Sequence, residues 1–318
     1  MSDYYVAFWN VENLFDVANS PRRTDKLSRV IGRELTGWTA GVLNRKVQQL
    51  ASIIRQMNQG RGPDILGVCE VENEYVLRLL LDKLNIAGRN YNIEHHDMSD
   101  RRGIDVAFIY DQNLFTADAQ FSHYIVKRTA TRDLFQVNFR TSSNNLLVVI
   151  GNHWPSRMGG QYESEPFRII AGETLAYFHQ RIREVHGKNV AVLAMGDFND
   201  EPFNRSIVKH ALSEKIRQKV TRARSPKFLN LMWPLLGEGI GTHYFDNNPN
   251  MLDQFLVSKG LLTGNSNISV SQNSVEILRF PEMVKGGSYP TPIRYGRGNS
   301  VEPDGFSDHF PIAVQLRE

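Results

Sequence analysis

The chain of 318 residues is 41% hydrophobic and 22% charged, proportions of an ordinary globular protein that exclude a disordered or fibrous chain. Lys plus Arg number 37 against Asp plus Glu 34, a net charge of +3 that neither demands nor excludes a polyanionic partner. The single cysteine, Cys69, excludes an intramolecular disulfide and fits a reducing compartment.

The chain opens on an apolar run, Tyr4 to Trp9, that reads as a buried strand, with no basic leader and no small-residue cleavage site before it. The expectation is therefore a cytoplasmic protein, or an exported one if a leader precedes the sequence given. Between Leu43 and Met57 the positions Leu43, Val47, Leu50, Ala51 and Ile54 recur at helical spacing, with Arg45, Lys46, Gln48 and Gln49 on the opposite, solvent-facing side. Asp64 to Cys69 is a strand and Tyr75 to Leu84 a helix. Asp105 to Tyr110, the segment around Phe121 to Val126 and Leu134 to Phe139 read as strands joined in hairpins, followed by a strand at Leu146 to Asn152. Phe167 to His179 repeats the helical pattern towards Val185, Val190 to Met195 is a strand, and Ser206 to Ile216 a further helix. Leu252 to Val257 and Pro311 to Leu316 close the strand set; between them Arg279 to Gly305, with four prolines and five glycines, is a long loop of the kind that carries function. Strands both in hairpins and singly before helices favour two packed mixed sheets flanked by helices over a purely parallel sheet. A length of 318 suits one domain over residues 1–318. No run of about 18 apolar residues occurs, so no membrane insertion is expected.

The strands end on chemistry. Phe8-Trp9 runs into Asn10, the 65–69 strand into Glu70, the 148–152 strand into His153, and the 192–196 strand into Asp197-Phe198-Asn199. Met251-Leu252 precedes Asp253, and Phe306-Ser307 precedes Asp308-His309. Singly these are unremarkable: Asp-Phe-Asn after a strand suits a turn, and Glu70 suits a strand terminus at the surface. Together they point to a shared cleft at one sheet edge. Carboxylate and amide oxygens without thiolates suit Mg²⁺, Mn²⁺ or Ca²⁺, with Mg²⁺ the natural choice. Such a set divides the tasks of phosphodiester hydrolysis: a positioned water, neutralised phosphoryl oxygens and help for the leaving oxygen.

Six blocks carry a resemblance: Trp9-Asn10-Val11-Glu12-Asn13-Leu14-Phe15, Gly67-Val68-Cys69-Glu70-Val71, Asn152-His153-Trp154-Pro155-Ser156, Gly196-Asp197-Phe198-Asn199-Asp200, Leu252-Asp253-Gln254-Phe255 and Ser307-Asp308-His309-Phe310-Pro311. In content and order the chain resembles the endonuclease/exonuclease/phosphatase family, closest to its bacterial extracellular-deoxyribonuclease-like members. The resemblance implies an α/β fold, the four-layer α/β sandwich of deoxyribonuclease I-like proteins. It also implies roles: Glu70 as main metal ligand with Asn10 beside it and Asp308 near the metal, and Asp197 orienting or deprotonating the attacking water. Asn199 would contact the phosphate, as would His309, with Asp253 as its carboxylate partner. The segment around Asp105 resembles the strand that supplies an acid to His153, which implies a second imidazole–carboxylate dyad. The chain departs from the disulfide-stabilised members in holding one cysteine only.

The substrate class implied is nucleic acid, DNA favoured, cut without sequence preference, since no groove-reading motif is visible. Arg157 and Arg102 sit close in sequence to His153 and Asp105, and Arg294, with Tyr289, Tyr295 and Arg297, lies in the loop before Asp308; these are candidate substrate contacts, the loop aromatics by stacking. The basic stretch Arg205 to Lys227 is a further candidate phosphate surface or simply a solvated one. A small phosphoester or phospholipid headgroup is the alternative, although no persuasive exposed apolar hairpin for membranes is visible; a catalytically idle binding module is the third reading, against which every expected position is filled. A monomer is the expected state.

Overall fold

The computed structural model describes residues 2–287 and 290–318. In chain order the first half holds strand β1 (Asp3–Leu14), helices α1 (Asp25–Ile31) and α2 (Ala40–Gln56), β2 (Ile65–Val71), α3 (Glu74–Leu84), β3 (Tyr91–His95), β4 (Asp105–Asp111), β5 (Phe115–His123), β6 (Leu134–Thr141) and β7 (Leu146–His153). The second half holds α4 (Gln161–His186), β8 (Ala191–Asp197), β9 (Ser213–Glu214), α5 (Arg217–Thr221), β10 (Phe228–Asn230), β11 (His243–Phe245), β12 (Asn248–Asn250), β13 (Asp253–Val257), α6 (Lys259–Thr263), β14 (Ser269–Val270), β15 (Glu276–Ile277) and β16 (Ile312–Arg317).

Two mixed sheets form, in the order β14-β16-β1-β2-β4-β3, with β15 also on β16, and β5-β6-β7-β8-β13-β10-β9. Alternation along the strands sorts the apolar residues into three layers. Tyr4, Val6, Phe8, Val106 and Phe108 face Phe135, Val137, Val149, Leu193 and Phe255 between the sheets. Tyr5, Ala7, Trp9, Leu66 and Val68 turn outward against Leu43, Val47, Leu50 and Ile54 of α2 and Leu77 and Leu80 of α3. On the far side Val148, Ile150, Val192 and Ala194 meet Ala171, Leu175 and Ile182 of α4. Helix, sheet, sheet, helix: this is the four-layer α/β sandwich that the resemblance implied. Gly151 is part of why the sheets close so tightly, since a Cβ there would lie 2.5 Å from Val106 Cγ1.

The three long helices and the apolar strand runs lie where the sequence puts them, except that the strand expected around Phe121 to Val126 is β5, Phe115–His123, six residues earlier at its start; the other differences are local. β4 pairs with β2 and β3 while β5 pairs with β6, so the chain changes sheets at that point instead of continuing a hairpin. Ser206 to Ile216 is not one continuous helix: a π turn at Ser206–His210 is followed by the short strand β9, whose backbone pairs with β10 at the sheet edge. Lys46 is fully buried, although helical spacing puts it on the polar face; its Nζ donates to the Phe306 carbonyl at 2.9 Å. Between residues 279 and 305 lie short 3₁₀ turns and an isolated Val284–Pro292 bridge, and Tyr289 falls outside the described residues. Among the described residues no helix is long and apolar enough to cross a membrane.

Candidate active site

Strand direction assembles the site. β1 runs parallel to β2, and β7 to β8, so each pair ends together. β13 is antiparallel to β8 and begins at that same end, with Asp253 opposite Asp197. β16 is antiparallel to β1, with Ile312 opposite Phe8, which puts Asp308 and His309 just beyond the strand start. Six separated blocks thereby meet at one edge of the sandwich.

The backbone at this edge is bent to aim side chains. Register slips between Asn10 and Leu14 in β1 and between Cys69 and Val71 in β2, as at β-bulges that redirect a side chain. Glu12, Asn13, Glu70 and Asn199 hold φ of 49°, 57°, 65° and 50°, a conformation that costs a non-glycine residue on the order of 1 kcal/mol or more and concentrates at functional sites. Gly196 lets Asp197 follow directly, since a Cβ at Gly196 would sit 2.1 Å from the Asn152 carbonyl oxygen.

At the centre, the Asn10 amide donates to Asp197 Oδ2 at 3.1 Å and its Oδ1 accepts from the Glu12 N–H at 3.0 Å. Asn199 donates its backbone N–H to Asp197 Oδ1 at 2.9 Å and its side-chain amide to Asp197 Oδ2 and the Trp154 carbonyl. Burial and the neighbouring Asp253 carboxylate raise Asp197 to about 6, against the pull of His309. The His309 Nδ1 lies 2.7 Å from Asp253 Oδ2, and its Nε2 turns towards Asp197 Oδ2 at 3.9 Å. Burial opposes charge on His309, but the carboxylates of Asp253, Asp197 and Asp308 outweigh it and hold the imidazole well above its usual range. Ser307 fixes this turn, donating to the Asn10 carbonyl at 2.6 Å and accepting from the His309 N–H.

His153 is the opposite case. Its Nε2 lies 3.7 Å from Glu70 Oε1 and 3.8 Å from Asp197 Oδ2, too far for hydrogen bonds, and its buried Nδ1 has no partner among the described residues. Burial, then Arg132, Arg102 and His309, push it well below the usual histidine range, so it is neutral. The dyad of His153 with Asp105 does not form. Asp105 Oδ2 is 3.1 Å from His95 Nε2 and its Oδ1 accepts from the Met98 N–H, because β3 is the neighbour of β4 on the side away from β2 and offers His95 at that end.

The three arginines singled out from the sequence are braces as much as open contacts. Arg157 donates to the Asn199 carbonyl, Asn250 and Asn204, and lies 3.5 Å from Asp200; its fork holds the Asn199 loop instead of facing solvent. Arg102 bonds Asn13 and Glu34, and Asn13 in turn gives its backbone N–H to Glu70 at 3.0 Å. Arg294 grips Glu12 through Nε and Nη2 at 3.0 and 2.7 Å and reaches to 3.7 Å from Asp308, yet its side chain stays 63% exposed. Tyr295 cannot stack on a base, being fully buried against Trp38, and Arg297 is paired with Glu34. In the basic stretch, Glu214 takes Lys227 and Lys219, and β10 meets β13 at Val257, the end remote from Asp253.

Sequence reasoning missed Glu12, Lys46 and His243. Glu12 is buried and pushed up by burial and by Asp308, while burial pulls Lys46 down to about 8 against the attraction of Glu12, Asp308 and Glu70. Glu12 had a signal, standing in the Asn10 block; an amphipathic pattern gives none for a buried lysine. The His243 ring lies tilted against that of His309, at 4.7 Å between centroids.

The donor set suits a hard divalent cation: Glu70, Asn10 and Asp308 bring oxygen ligands to one wall, with no thiolate, since Cys69 is buried in the intersheet core. A separate group, His95, Asp97 and Asp105, brings one ligand atom each within 4.8 Å of one another, although His95 and Asp105 already bond each other.

The family model described as Endonuclease/Exonuclease/phosphatase family matches residues 5–318. No curated protein matches the chain. Among solved structures it is similar to D. rerio TDP2 humanized by 14 mutations, at 13% identity and TM-score 0.60 over 99% of each chain. It is also similar to a mannosyl-6-phosphatase of Bacteroides thetaiotaomicron, at 16% identity and TM-score 0.57 over 99% of this chain and 100% of the other. The human Nocturnin catalytic domain with bound sulfate is similar at 16% identity and TM-score 0.56, over 99% and 94%. The chain belongs to the endonuclease/exonuclease/phosphatase family, whose members are phosphoric ester hydrolases that generally use divalent metal ions.

Proposed function

We propose that this chain is a divalent-metal-dependent phosphodiesterase that cuts nucleic acid, DNA above RNA, without sequence preference, acting as one catalytic domain over 1–318 and as a monomer. The observation that carries the reading is the meeting of Glu70, Asp197 and the Asp253–His309 dyad at one sheet edge, with Asp197 Oδ2 3.9 Å from His309 Nε2. Glu70, Asn10 and Asp308 would hold Mg²⁺, with Mn²⁺ and Ca²⁺ as substitutes. When bound, the ion neutralises phosphoryl charge and favours an attacking hydroxide.

The chain's own groups supply the rest. Asp197, ionised above about pH 6 and fixed by Asn10 and Asn199, takes the proton of the attacking water. Charged His309 donates from Nε2 to a phosphoryl oxygen, where negative charge accumulates in the transition state, and Asp253 fixes its tautomer and charge. Neutral His153 accepts or donates on the Glu70 side without a carboxylate to drive it. Asn199 acts through Asp197, because its amide is already committed to that carboxylate and to the Trp154 carbonyl. Arg294, the exposed one of the three arginines, contacts backbone phosphate.

The test is turnover of supercoiled DNA, single-stranded DNA, RNA and a chromogenic bis-phosphodiester with EDTA, Mg²⁺ or Mn²⁺. Mg²⁺-dependent cleavage of DNA that Asp197→Ala removes supports the reading; no metal-dependent turnover of any of the four ends it. A small sugar phosphate is the second reading, favoured by the likeness to a mannosyl-6-phosphatase, and mannose 6-phosphate as a fifth substrate separates the two.

A further inference from the structure

A hairpin outside the six motif blocks stands against the His309 side of the site. β11 and β12 pair as His243–Asn250, Tyr244–Pro249 and Phe245–Asn248, joined by Asp246 and Asn247 with φ of 49° and 62°. Two consecutive positive-φ residues make the type I′ turn whose twist matches a hairpin. Its base is tied to the dyad: Thr242 Oγ1 accepts from the backbone N–H groups of Leu252 and Asp253 at 3.1 and 3.0 Å. The Thr242 carbonyl accepts from Phe310 at 2.7 Å, and His243 bridges to His309.

Alternation divides the arm into two faces. Tyr244 turns to the protein, its ring 6.2 Å from that of Phe310. His243 and Phe245 share the other face, with Phe245 69% exposed at the tip. The His243 ring lies against that of His309 at 4.7 Å. Its Nδ1 is buried without a partner among the described residues, and an unpartnered buried acceptor is tolerated better than an unpartnered N–H. The proton therefore sits on Nε2, which bonds no described residue and lies at the accessible edge of the ring. Burial and the cations around it keep this imidazole neutral.

We propose that this face is a subsite for the nucleotide flanking the scissile phosphate: His243 Nε2–H donates to a phosphoryl oxygen beside His309, and Phe245 stacks on the adjoining base. Residues i and i+2 of a strand stand roughly 7 Å apart, about the reach from a backbone phosphate to its own base. The subsite rests on the nucleic-acid reading of the same cleft and adds to it a preference for an aromatic base at one side of the cut.

The test uses the full chain with Mg²⁺ and a short single-stranded DNA holding one cleavable phosphodiester, flanked either by bases or by abasic tetrahydrofuran sites. Phe245→Ala should raise KM roughly five- to tenfold on the base-flanked strand and less than about twofold on the abasic one. His243→Leu should lower kcat about tenfold on both, and His243→Gln, which keeps an N–H near the Nε2 position, should recover to within about threefold of wild type. Equal effects of Phe245→Ala on both strands, wild-type turnover by His243→Leu, or His243→Gln no better than His243→Leu would overturn the subsite. Because Asp197→Ala is run alongside, wild-type cleavage abolished by that change keeps the function reading standing even where the subsite falls; a wild type inactive on both strands sinks both.

Discussion

The two walls of the cleft solve the same electrostatic problem with different chemistry. On the β1–β2 wall, Glu12, Glu70 and Asp308 are balanced by the cations Lys46 and Arg294, with Arg102 behind. On the β8–β13 wall, Asp197 and Asp253 are balanced by one imidazole, His309. A guanidinium cannot release its proton in the working range of a protein, so Arg294, the cation of the first wall that faces the cleft, holds charge but cannot relay it, and Lys46 is committed to the Phe306 carbonyl behind it. An imidazole between two carboxylates can do both. In the proposed function the first wall would keep a doubly charged ion and a phosphate in place and the second would move protons, with the substrate between them.

That division is most directly broken on the proton wall. His309→Ala or Asp197→Ala should lower kcat at least about 10²-fold with little change in substrate KM, because each group acts in the transition state; steady-state kinetics on a chromogenic phosphodiester check this, and turnover near wild type from either variant would sink the assignment. On the other wall, Glu70→Gln should raise the Mg²⁺ concentration for half-maximal rate by about 10- to 100-fold, in the range that lost metal contacts produce, and much of the rate should return at high metal. A variant that loses kcat at every Mg²⁺ concentration would move Glu70 to the proton wall. The acid limb of kcat should fall about tenfold per pH unit below a midpoint no higher than about 6, because Asp197 must be ionised to accept a proton and its carboxyl is raised to about 6. A bound cation draws the midpoint lower, so it should move down with Mg²⁺; a limb unmoved by Asp197→Glu would assign it to another group.

Much of this was legible in the sequence because strand ends carry it. Short continuous apolar runs located Asn10, Glu70, His153 and Asp197 at the ends of strands, and parallel pairing then required them to share an edge. What was not legible depends on lateral neighbours. The partner of Asp105 is decided by β3 lying next to β4, which puts His95 nearer than His153. Arg157 looks free in sequence and is committed to one backbone and two side-chain amide oxygens 42 to 93 residues away, on two separate segments. Lys46 defeats an amphipathic reading because its long stem crosses the apolar layer to reach the Phe306 carbonyl, within the field of Glu12, Asp308 and Glu70, about which the helix pattern says nothing.

The smallest effect separates the two histidines. If His153 works without a carboxylate, Asp105→Asn should leave kcat within about threefold of wild type, whereas Asp253→Asn, which deprives His309 of its partner, should not. Asp105 still has a measurable consequence, in stability. Its carboxyl is raised by burial from 3.8 to about 6, with His95 pulling the other way, so between those values the unfolded chain has released a proton that the folded chain retains. Stability from this group is therefore complete below about pH 3.8 and is lost as pH rises through about 6, at up to about 1.4 kcal/mol per pH unit. Asp105→Asn removes that slope: urea unfolding at pH 4 and pH 7 should differ less for the variant than for the wild type, with its activity intact. A variant that unfolds with the wild-type pH slope, or loses kcat as far as Asp253→Asn does, would return Asp105 to the catalytic wall and end the asymmetry between His153 and His309.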